Sequence, residues 1–259
     1  MIEIFPIYMN LFKQERLIRV YLPKNYYGER KPYPVLYMHD GKNIFRDCDA
    51  VGGISLNLVS YLKQNELDVI VVGIDQNSEE RINEYCPWMN GEYSKKILNI
   101  LGQSIQTGGK GREYVNFIVN ELKPYIDQKY RTIKDCTAMA GISLGGLITT
   151  YAACRYPDIF KHIIIFSSAF YRNQEEMEKL IQQSDLSDIE SFYMDCGTNE
   201  WKNQQVNEEY LTSNQSIYNM IKKKITNATF EIIEGGEHNY DHFKRRIPKL
   251  FQFLLTLNK

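Results

Sequence analysis

The chain lacks the features that mark membrane, secreted and metal-stapled proteins. No apolar run in its 259 residues approaches the roughly 20 residues that span a bilayer. Residues 1–6 lack the basic and then apolar pattern of a secretory signal peptide. The five cysteines are scattered, odd in number and without a Cys-x-x-Cys pair, which argues against a disulfide framework or a zinc site. We therefore expect a cytoplasmic protein with no membrane segment, metal or cofactor.

The chain also lacks an excess of charge of either sign. Its 31 lysines and arginines nearly balance 32 aspartates and glutamates, so no overall field favours nucleic acid as a partner. The basic runs at 222–224 and 244–246 fall in helical patterns and are expected to be solvated helix faces. The pattern leaves open whether the chain forms a homo-oligomer.

What is present is an ordered series of strand and helix patterns. The early strands read as antiparallel, and the second half alternates strand and helix, which predicts parallel βαβ units. No repeat or linker interrupts residues 1–259, so we expect one domain of the α/β class. It should have the α/β-hydrolase fold, with a mostly parallel twisted sheet of about eight strands and helices on both faces. The predicted strands are 2–9, 16–22, 34–38, 68–75, 136–140, 162–166, 191–195 and 229–233. The predicted helices are 54–64, 112–130, 145–155, 174–183, 216–224 and 240–257.

A long polar and aromatic stretch at 76–111 interrupts this pattern. Stretches of this length without a clear period are usually functional or disordered. We expect this insertion to lie over the site and to shape the substrate pocket.

Gly141-Ile142-Ser143-Leu144-Gly145 is the segment most indicative of chemistry. A serine hydroxyl is a poor nucleophile and must be exposed beside a base, and a Gly-x-Ser-x-Gly turn between a strand and a helix provides that exposure. Here the motif falls between a predicted strand and a predicted helix. Ser143 is therefore the candidate nucleophile.

The other members of a serine triad follow the nucleophile in chain order. His238, behind two glycines and just past the last strand, is the candidate base, with His242 as the alternative. Glu200, in the loop after strand 191–195, is the candidate acid, and Asp195, which closes that strand, is the alternative. The acid accepts the imidazole N–H and stabilises the imidazolium.

An oxyanion hole usually combines the amide after the nucleophile with an amide from the loop after an earlier strand. The first is the N–H of Leu144. The second comes from Asp40-Gly41-Lys42, where the N–H of Lys42 is the best candidate donor and its side chain is expected in solvent.

Four segments together carry a family pattern: His39-Asp40-Gly41-Lys42-Asn43-Ile44-Phe45, Gly141-Ile142-Ser143-Leu144-Gly145-Gly146, Gly197-Thr198-Asn199-Glu200 and Gly235-Gly236-Glu237-His238. From about residue 16 to the final helix, the chain resembles the putative esterase (esterase D-like) family of α/β-hydrolases. This family includes S-formylglutathione hydrolases, feruloyl and acetylxylan esterases, enterochelin-type esterases and mycolyltransferases. The resemblance supports Lys42 and Glu200 in their roles. The chain departs from the family in two places: relatives often carry aspartate as the acid, and formylglutathione hydrolases typically carry a His-Ser-Met version of the nucleophile turn.

The sequence thus predicts a serine hydrolase of small carboxylic esters that works through an acyl-enzyme. An acyltransferase using the same residues and an inactive binding protein of the same fold are the alternatives. Candidate substrate contacts are Arg81, Glu84, Trp88 and Trp201, although Arg81 and Glu84 could instead pin the insertion by pairing with each other. The acyl group and the alcohol are not defined by these residues.

Overall fold

A computed structural model describes residues 1–102 and 106–255. Its centre is one eight-stranded sheet, and the strands in chain order are β1 (Ile2–Met9), β2 (Gln14–Tyr21), β3 (Tyr33–His39), β4 (Ile70–Ile74), β5 (Thr132–Ile142), β6 (His162–Phe166), β7 (Ser191–Gly197) and β8 (Ala228–Ile233).

The strands lie in the order β1-β2-β4-β3-β5-β6-β7-β8. β1 pairs antiparallel with β2, and β2 pairs antiparallel with β4, whereas every pair from β4 to β8 is parallel. All residues of β3, β4 and β6 are buried, as expected for parallel strands covered on both faces. This arrangement confirms the mostly parallel sheet with antiparallel N-terminal strands.

Helices cover both faces of the sheet. They are α1 (Leu58–Gln64), α2 (Arg81–Tyr85), α3 (Glu92–Ile100), α4 (Gly111–Phe117), α5 (Lys123–Lys129), α6 (Leu144–Arg155), α7 (Gln174–Gln183), α8 (Gln204–Ile221), α9 (Tyr240–Lys244) and α10 (Ile247–Leu250). Alternate strand residues point to opposite sides, so β4 sends Val72 into one apolar core and Val71 into the other. None of the helices within the two described ranges has the length and apolarity of a membrane span.

The predicted helix at 112–130 is present but changes its period before Pro124. α4 passes into a π-helical turn, Ile118–Leu122, which leads into α5. Because proline has no N–H and crowds the preceding turn, a regular α-helix cannot run through it unchanged.

Three other helix predictions were wrong in their boundaries. The first helix begins at Leu58 and not at 54, because the Leu56 amide bonds to the Asn43 carbonyl in a loop. α8 begins at Gln204, twelve residues before the predicted start at 216, where the Asn203 side chain accepts a hydrogen bond from the Val206 amide and caps the helix. The last predicted helix, 240–257, divides into α9, α10 and a 3-10 turn at Gln252–Leu255, and its residues 256–257 lie outside the described ranges.

Where it is described, the insertion at 76–111 contains two short helices joined by loops. It contains α2 and α3, while residues 103–105 lie outside the described ranges. The sequence pattern did not predict these two helices, because helices of five and nine residues show little hydrophobic periodicity.

The fold brings the predicted site residues to one edge of the sheet. β3, β5, β7 and β8 are parallel, so the loops that follow them leave from the same side. Those loops begin with Asp40, Ser143, Thr198 and Glu234, respectively.

Candidate active site

Ser143 lies at a sharp turn between β5 and α6. Its backbone has φ 60° and ψ −119°, a conformation that non-glycine residues rarely adopt. The turn requires Gly141, because a Cβ there would overlap the carbonyl group of Gly145. Hydrogen bonds fix both sides of the turn: the Ser143 amide donates to the Phe166 carbonyl at 3.0 Å, and the Ala169 amide donates to the Ser143 carbonyl at 3.0 Å. The serine side chain is therefore presented at a rigid, strained corner that is partly open to solvent.

His238 lies against Glu200. The distance between His238 Nδ1 and Glu200 Oε2 is 2.6 Å, and the glutamate side chain is fully buried while the imidazole is 24% exposed. A carboxylate at Nδ1 leaves Nε2 of the same ring free to act as a base. The geometry thus places Glu200, and not Asp195, beside the histidine.

The other candidate base is turned to a different partner. His242 accepts a hydrogen bond at Nδ1 from the Glu237 amide at 3.1 Å. His162, which the sequence places at the start of a strand, is buried, and its Nδ1 lies 2.9 Å from Ser191 Oγ.

A buried polar network holds the second oxygen of Glu200. Its Oε1 accepts hydrogen bonds from the Gly197 amide at 2.6 Å and from the Ser167 hydroxyl. Burial alone raises the pKa of a carboxyl group, but the hydrogen bonds from His238, Ser167 and Gly197 outweigh it and hold the pKa of Glu200 below its ordinary value. Glu200 is therefore a carboxylate at neutral pH.

Beneath this network lies an ion pair for which the sequence pattern gives no signal. Arg246 Nη1 donates to Asp195 Oδ1 and to Ser167 Oγ, each at 2.8 Å. Burial raises the pKa of Asp195 to about 7, although the Arg246 guanidinium acts in the opposite direction. The expectation of a solvated basic face at 244–246 was wrong for Arg246, which is 5% exposed because the helix breaks before it and turns it inward.

Aromatic rings enclose the imidazole. Trp201 stacks on His238 with a centroid distance of 6.1 Å and an interplanar angle of 24°, and Phe243 meets the ring edge-on at 5.3 Å. Trp201, predicted to contact substrate, therefore packs directly on the histidine.

The two predicted oxyanion donors occupy N-terminal turns. Leu144 is the first residue of α6, where the N–H has no partner within the helix. Lys42 is the middle residue of a 3-10 turn, Gly41–Asn43, that follows β3. Asp40 and Asn43, on either side of Lys42, line the same cavity as Ser143 and His238.

That cavity has a volume of about 280 Å³. Besides Ser143 and His238 it is lined by residues from the loops and from the insertion: Asp40, Asn43, Val51, Gln76, Arg81, Ile142, Asn239, Tyr240 and Phe243. The sequence pattern offered little signal for most of these side chains, because they come from segments far apart in the chain.

Arg81, one of the insertion residues predicted to contact substrate, lines the cavity. Its Nε and Nη2 lie 2.7 and 2.8 Å from the two carboxylate oxygens of Asp40. Glu84 is instead fully buried and binds Arg16 through both oxygens at 2.9 and 2.7 Å. The alternative pairing of Arg81 with Glu84 was wrong, since each has a different partner.

Trp88 packs against α6. Its ring meets Tyr151 of α6 edge-on at a centroid distance of 5.3 Å.

Within the described ranges, no group of three or more His, Cys, Asp or Glu side chains is placed to hold a metal ion.

The strand order, the strained serine turn after β5 and the histidine after β8 define an α/β-hydrolase. A family model described as "Putative esterase" matches residues 10–254, and the chain belongs to this family. The resemblance inferred from the four sequence segments is thereby confirmed, and family membership supports ester hydrolysis as the chemistry of this chain.

Individual proteins are similar to this chain over most of its length. The uncharacterized protein YbbA of Bacillus subtilis (strain 168) is 24% identical over 251 residues, which cover 94% of each chain. Among solved structures, an IroE-like serine hydrolase from Shewanella oneidensis superposes with a TM-score of 0.76 at 18% identity, covering 95% of this chain and 78% of that one. The siderophore hydrolase EstA from Aspergillus nidulans has a TM-score of 0.75 at 16% identity, covering 96% and 93%. At these identities the two structures establish the shared fold.

Proposed function

We propose that the chain is a serine hydrolase of small carboxylic esters that works through an acyl-enzyme. The observation that carries the proposal is the 2.6 Å contact between His238 Nδ1 and a buried Glu200 carboxylate, with Ser143 lining the same cavity as that histidine. We further propose that residues 1–259 form one domain whose insertion at 76–111 helps to shape the cavity.

In the first half of the reaction, Ser143 Oγ attacks the ester carbonyl carbon and its proton passes to His238 Nε2. The carbonyl oxygen becomes an oxyanion, which accepts hydrogen bonds from the Leu144 and Lys42 amides. Glu200 stabilises the imidazolium that forms. Collapse of the intermediate breaks the bond to the alcohol, which leaves with the proton from His238.

In the second half, water takes the place of the alcohol. His238 removes a proton from the water, the hydroxide attacks the acyl carbon, and Ser143 leaves with the proton that the histidine returns. The products are a carboxylic acid and free enzyme. The siderophore-hydrolase neighbour suggests that siderophores belong in the substrate panel, beside simple acetyl and butyryl esters.

The test is Ser143→Ala with p-nitrophenyl acetate as substrate. We expect turnover to fall by roughly 10³-fold or more, because the variant has no nucleophile. Wild-type protein should also be labelled at Ser143 by a fluorophosphonate, with a single adduct seen by peptide mass spectrometry. Near wild-type turnover in Ser143→Ala would contradict the proposal.

The same assay separates the two alternatives. An acyltransferase would divert the acyl group to added alcohol, so ester product would compete with free acid. An inactive binding protein would give neither hydrolysis nor phosphonate labelling across the panel.

A further inference from the structure

The short helix α2 contacts the predicted oxyanion loop at one residue, Asp40. Arg81, at the start of the helix, binds both carboxylate oxygens of Asp40, and Tyr85, at its end, accepts a hydrogen bond from the Asp40 amide at 3.1 Å. The Arg81 guanidinium carbon also lies 5.0 Å from the centre of the Tyr85 ring. Both the backbone and the side chain of Asp40 are therefore held by one helical turn.

Asp40 needs such contacts because its backbone is left-handed, with φ 60° and ψ 47°. An aspartate adopts this conformation less readily than glycine does. The conformation starts the 3-10 turn Gly41–Asn43, which is closed by the Asn43 amide bonding to the Asp40 carbonyl at 2.8 Å. The direction of the Lys42 amide thus depends on the backbone angles of Asp40.

The opposite side of the turn is fixed by the sheet. A Cβ at Gly41 would lie 2.5 Å from Asp75 Oδ1, directly after β4, so the turn has no room to move in that direction. Asp75 itself is held by Arg19 of β2, with Arg19 Nε 2.7 Å from Asp75 Oδ1. The Asp75 side of the turn is therefore closed.

Helix α2 is itself firmly anchored. Tyr85 is fully buried, and its ring centre lies 5.1 Å from that of Tyr114 and 5.3 Å from that of His39. The neighbouring Glu84 forms a two-oxygen ion pair with Arg16 of β2. These contacts make α2 a fixed part of the fold and not a mobile flap.

We infer that Arg81 and Tyr85 are positioning residues that hold Asp40 in its left-handed conformation and so direct the Lys42 N–H toward the oxyanion. This inference rests on the proposed serine mechanism. It gives Arg81 a different role from the substrate contact expected from the sequence, since Asp40 occupies two of its three nitrogens. Tyr85 has no exposed surface and cannot touch a substrate, so its effect on catalysis must act through the loop.

The first experiment is Tyr85→Phe, which removes the acceptor for the Asp40 amide and the hydrogen bond between the Tyr85 and Tyr114 hydroxyls. We expect kcat for p-nitrophenyl acetate to fall about tenfold with KM nearly unchanged, because a displaced oxyanion donor acts in the transition state and not on substrate binding. The control is Tyr37→Phe: Tyr37 lies on β3, is equally buried, and its hydroxyl has no partner among the described residues. It should retain wild-type kcat.

A second readout reports on the oxyanion hole itself. Sulfur is a poor hydrogen-bond acceptor, so a thionoester gains less from the hole than the matching oxygen ester does. The ratio of kcat for the ester to kcat for the thionoester should fall severalfold in Tyr85→Phe and stay constant in Tyr37→Phe. A general loss of folded protein would lower both rates equally and leave the ratio unchanged.

The conformational part of the inference is tested by a matched pair of double variants. Arg81→Met combined with Asp40→Gly and Arg81→Met combined with Asp40→Ala both remove the ion pair without leaving a buried charge. Only glycine adopts the left-handed backbone without steric cost. We expect the glycine double variant to have about tenfold higher kcat than the alanine one.

The outcomes separate this inference from the serine mechanism. If Ser143→Ala is inactive, while Tyr85→Phe keeps wild-type kcat and the two double variants are equal, the positioning role is overturned and the mechanism stands. A rise in KM alone in Arg81→Met would assign Arg81 to substrate binding and also overturn its positioning role. If Ser143→Ala retains activity, the mechanism itself fails.

Discussion

The two ends of the site are held by different kinds of contact. At the acid end, Glu200 is fixed by a buried network of side chains that includes Ser167, Asp195 and Arg246. At the proposed oxyanion end, Asp40 and the turn after it are fixed by a helix from the insertion. The acid end thus depends on buried charge, whereas the oxyanion end depends on a backbone conformation.

The two ends also respond to pH in opposite directions. Asp195 has a pKa raised from 3.8 to about 7, so its contribution to stability is present below about pH 4 and is lost as the pH rises toward 7. His39, beside Asp40, has a pKa lowered by burial from 6.5 to about 4. Its contribution is present above pH 6.5 and is lost as the pH falls toward 4. The comparison therefore predicts that substitutions at the two ends lower the stability of the protein separately.

The largest expected effect concerns the acid itself. Glu200→Gln should lower kcat by roughly 10³-fold, because an amide cannot stabilise the imidazolium and can impose the wrong tautomer. Asp195→Asn is the matched control, since it neutralises a buried carboxylate that does not touch His238. Steady-state kinetics with p-nitrophenyl acetate give kcat for both variants. A larger loss of kcat in Asp195→Asn would assign the role of the acid to Asp195.

The next effect concerns the ion pair under the acid. Arg246→Met should lower the free energy of unfolding by about 3 kcal/mol at pH 8, because it leaves the Asp195 carboxylate buried without its partner. At pH 5 the loss should be smaller, since Asp195 then takes up a proton. Urea denaturation at the two pH values measures this, and adding Asp195→Asn should restore much of the loss at pH 8. An equal loss at both pH values would contradict the role given to the buried charge.

The last effect, of similar size, concerns the proposed oxyanion end. His39→Asn retains a polar atom near the Nδ1 position, which lies 2.9 Å from the Tyr114 hydroxyl, but it cannot take up a proton. Between pH 6.5 and pH 4 the wild type should lose up to roughly 3 kcal/mol of unfolding free energy more than the variant does. Urea denaturation across this range gives the two slopes. Identical slopes in the wild type and the variant would exclude His39 as the source.

The sequence predicted the fold well because its signals were local. Continuous apolar runs such as 70–74 mark buried parallel strands, and the alternation of strand and helix in the second half limits the topology. The glycines around Ser143 mark a tight turn for a steric reason that is visible in the motif itself. The order of Ser143, Glu200 and His238 then followed from the strand order.

Predictions that depended on distant partners succeeded less often. The basic neighbours at 244 and 245 predict a surface position for Arg246, and only packing shows that it points at Asp195. Glu84 and Arg81 are three residues apart, which suggested a mutual pair, yet their partners lie 68 and 41 residues away. Short helices such as α2 have too few residues to show a period, so the insertion read as a loop.

The sequence by itself determined the class of the protein, the family and the candidates for nucleophile, base and acid, because each is marked by a motif beside a recognisable strand. Only the tertiary structure decided which carboxylate meets His238, what lies beneath that carboxylate, and what holds the proposed oxyanion loop. Those questions concern side chains that are far apart in the chain, and their contacts depend on how the loops and helices pack around the sheet.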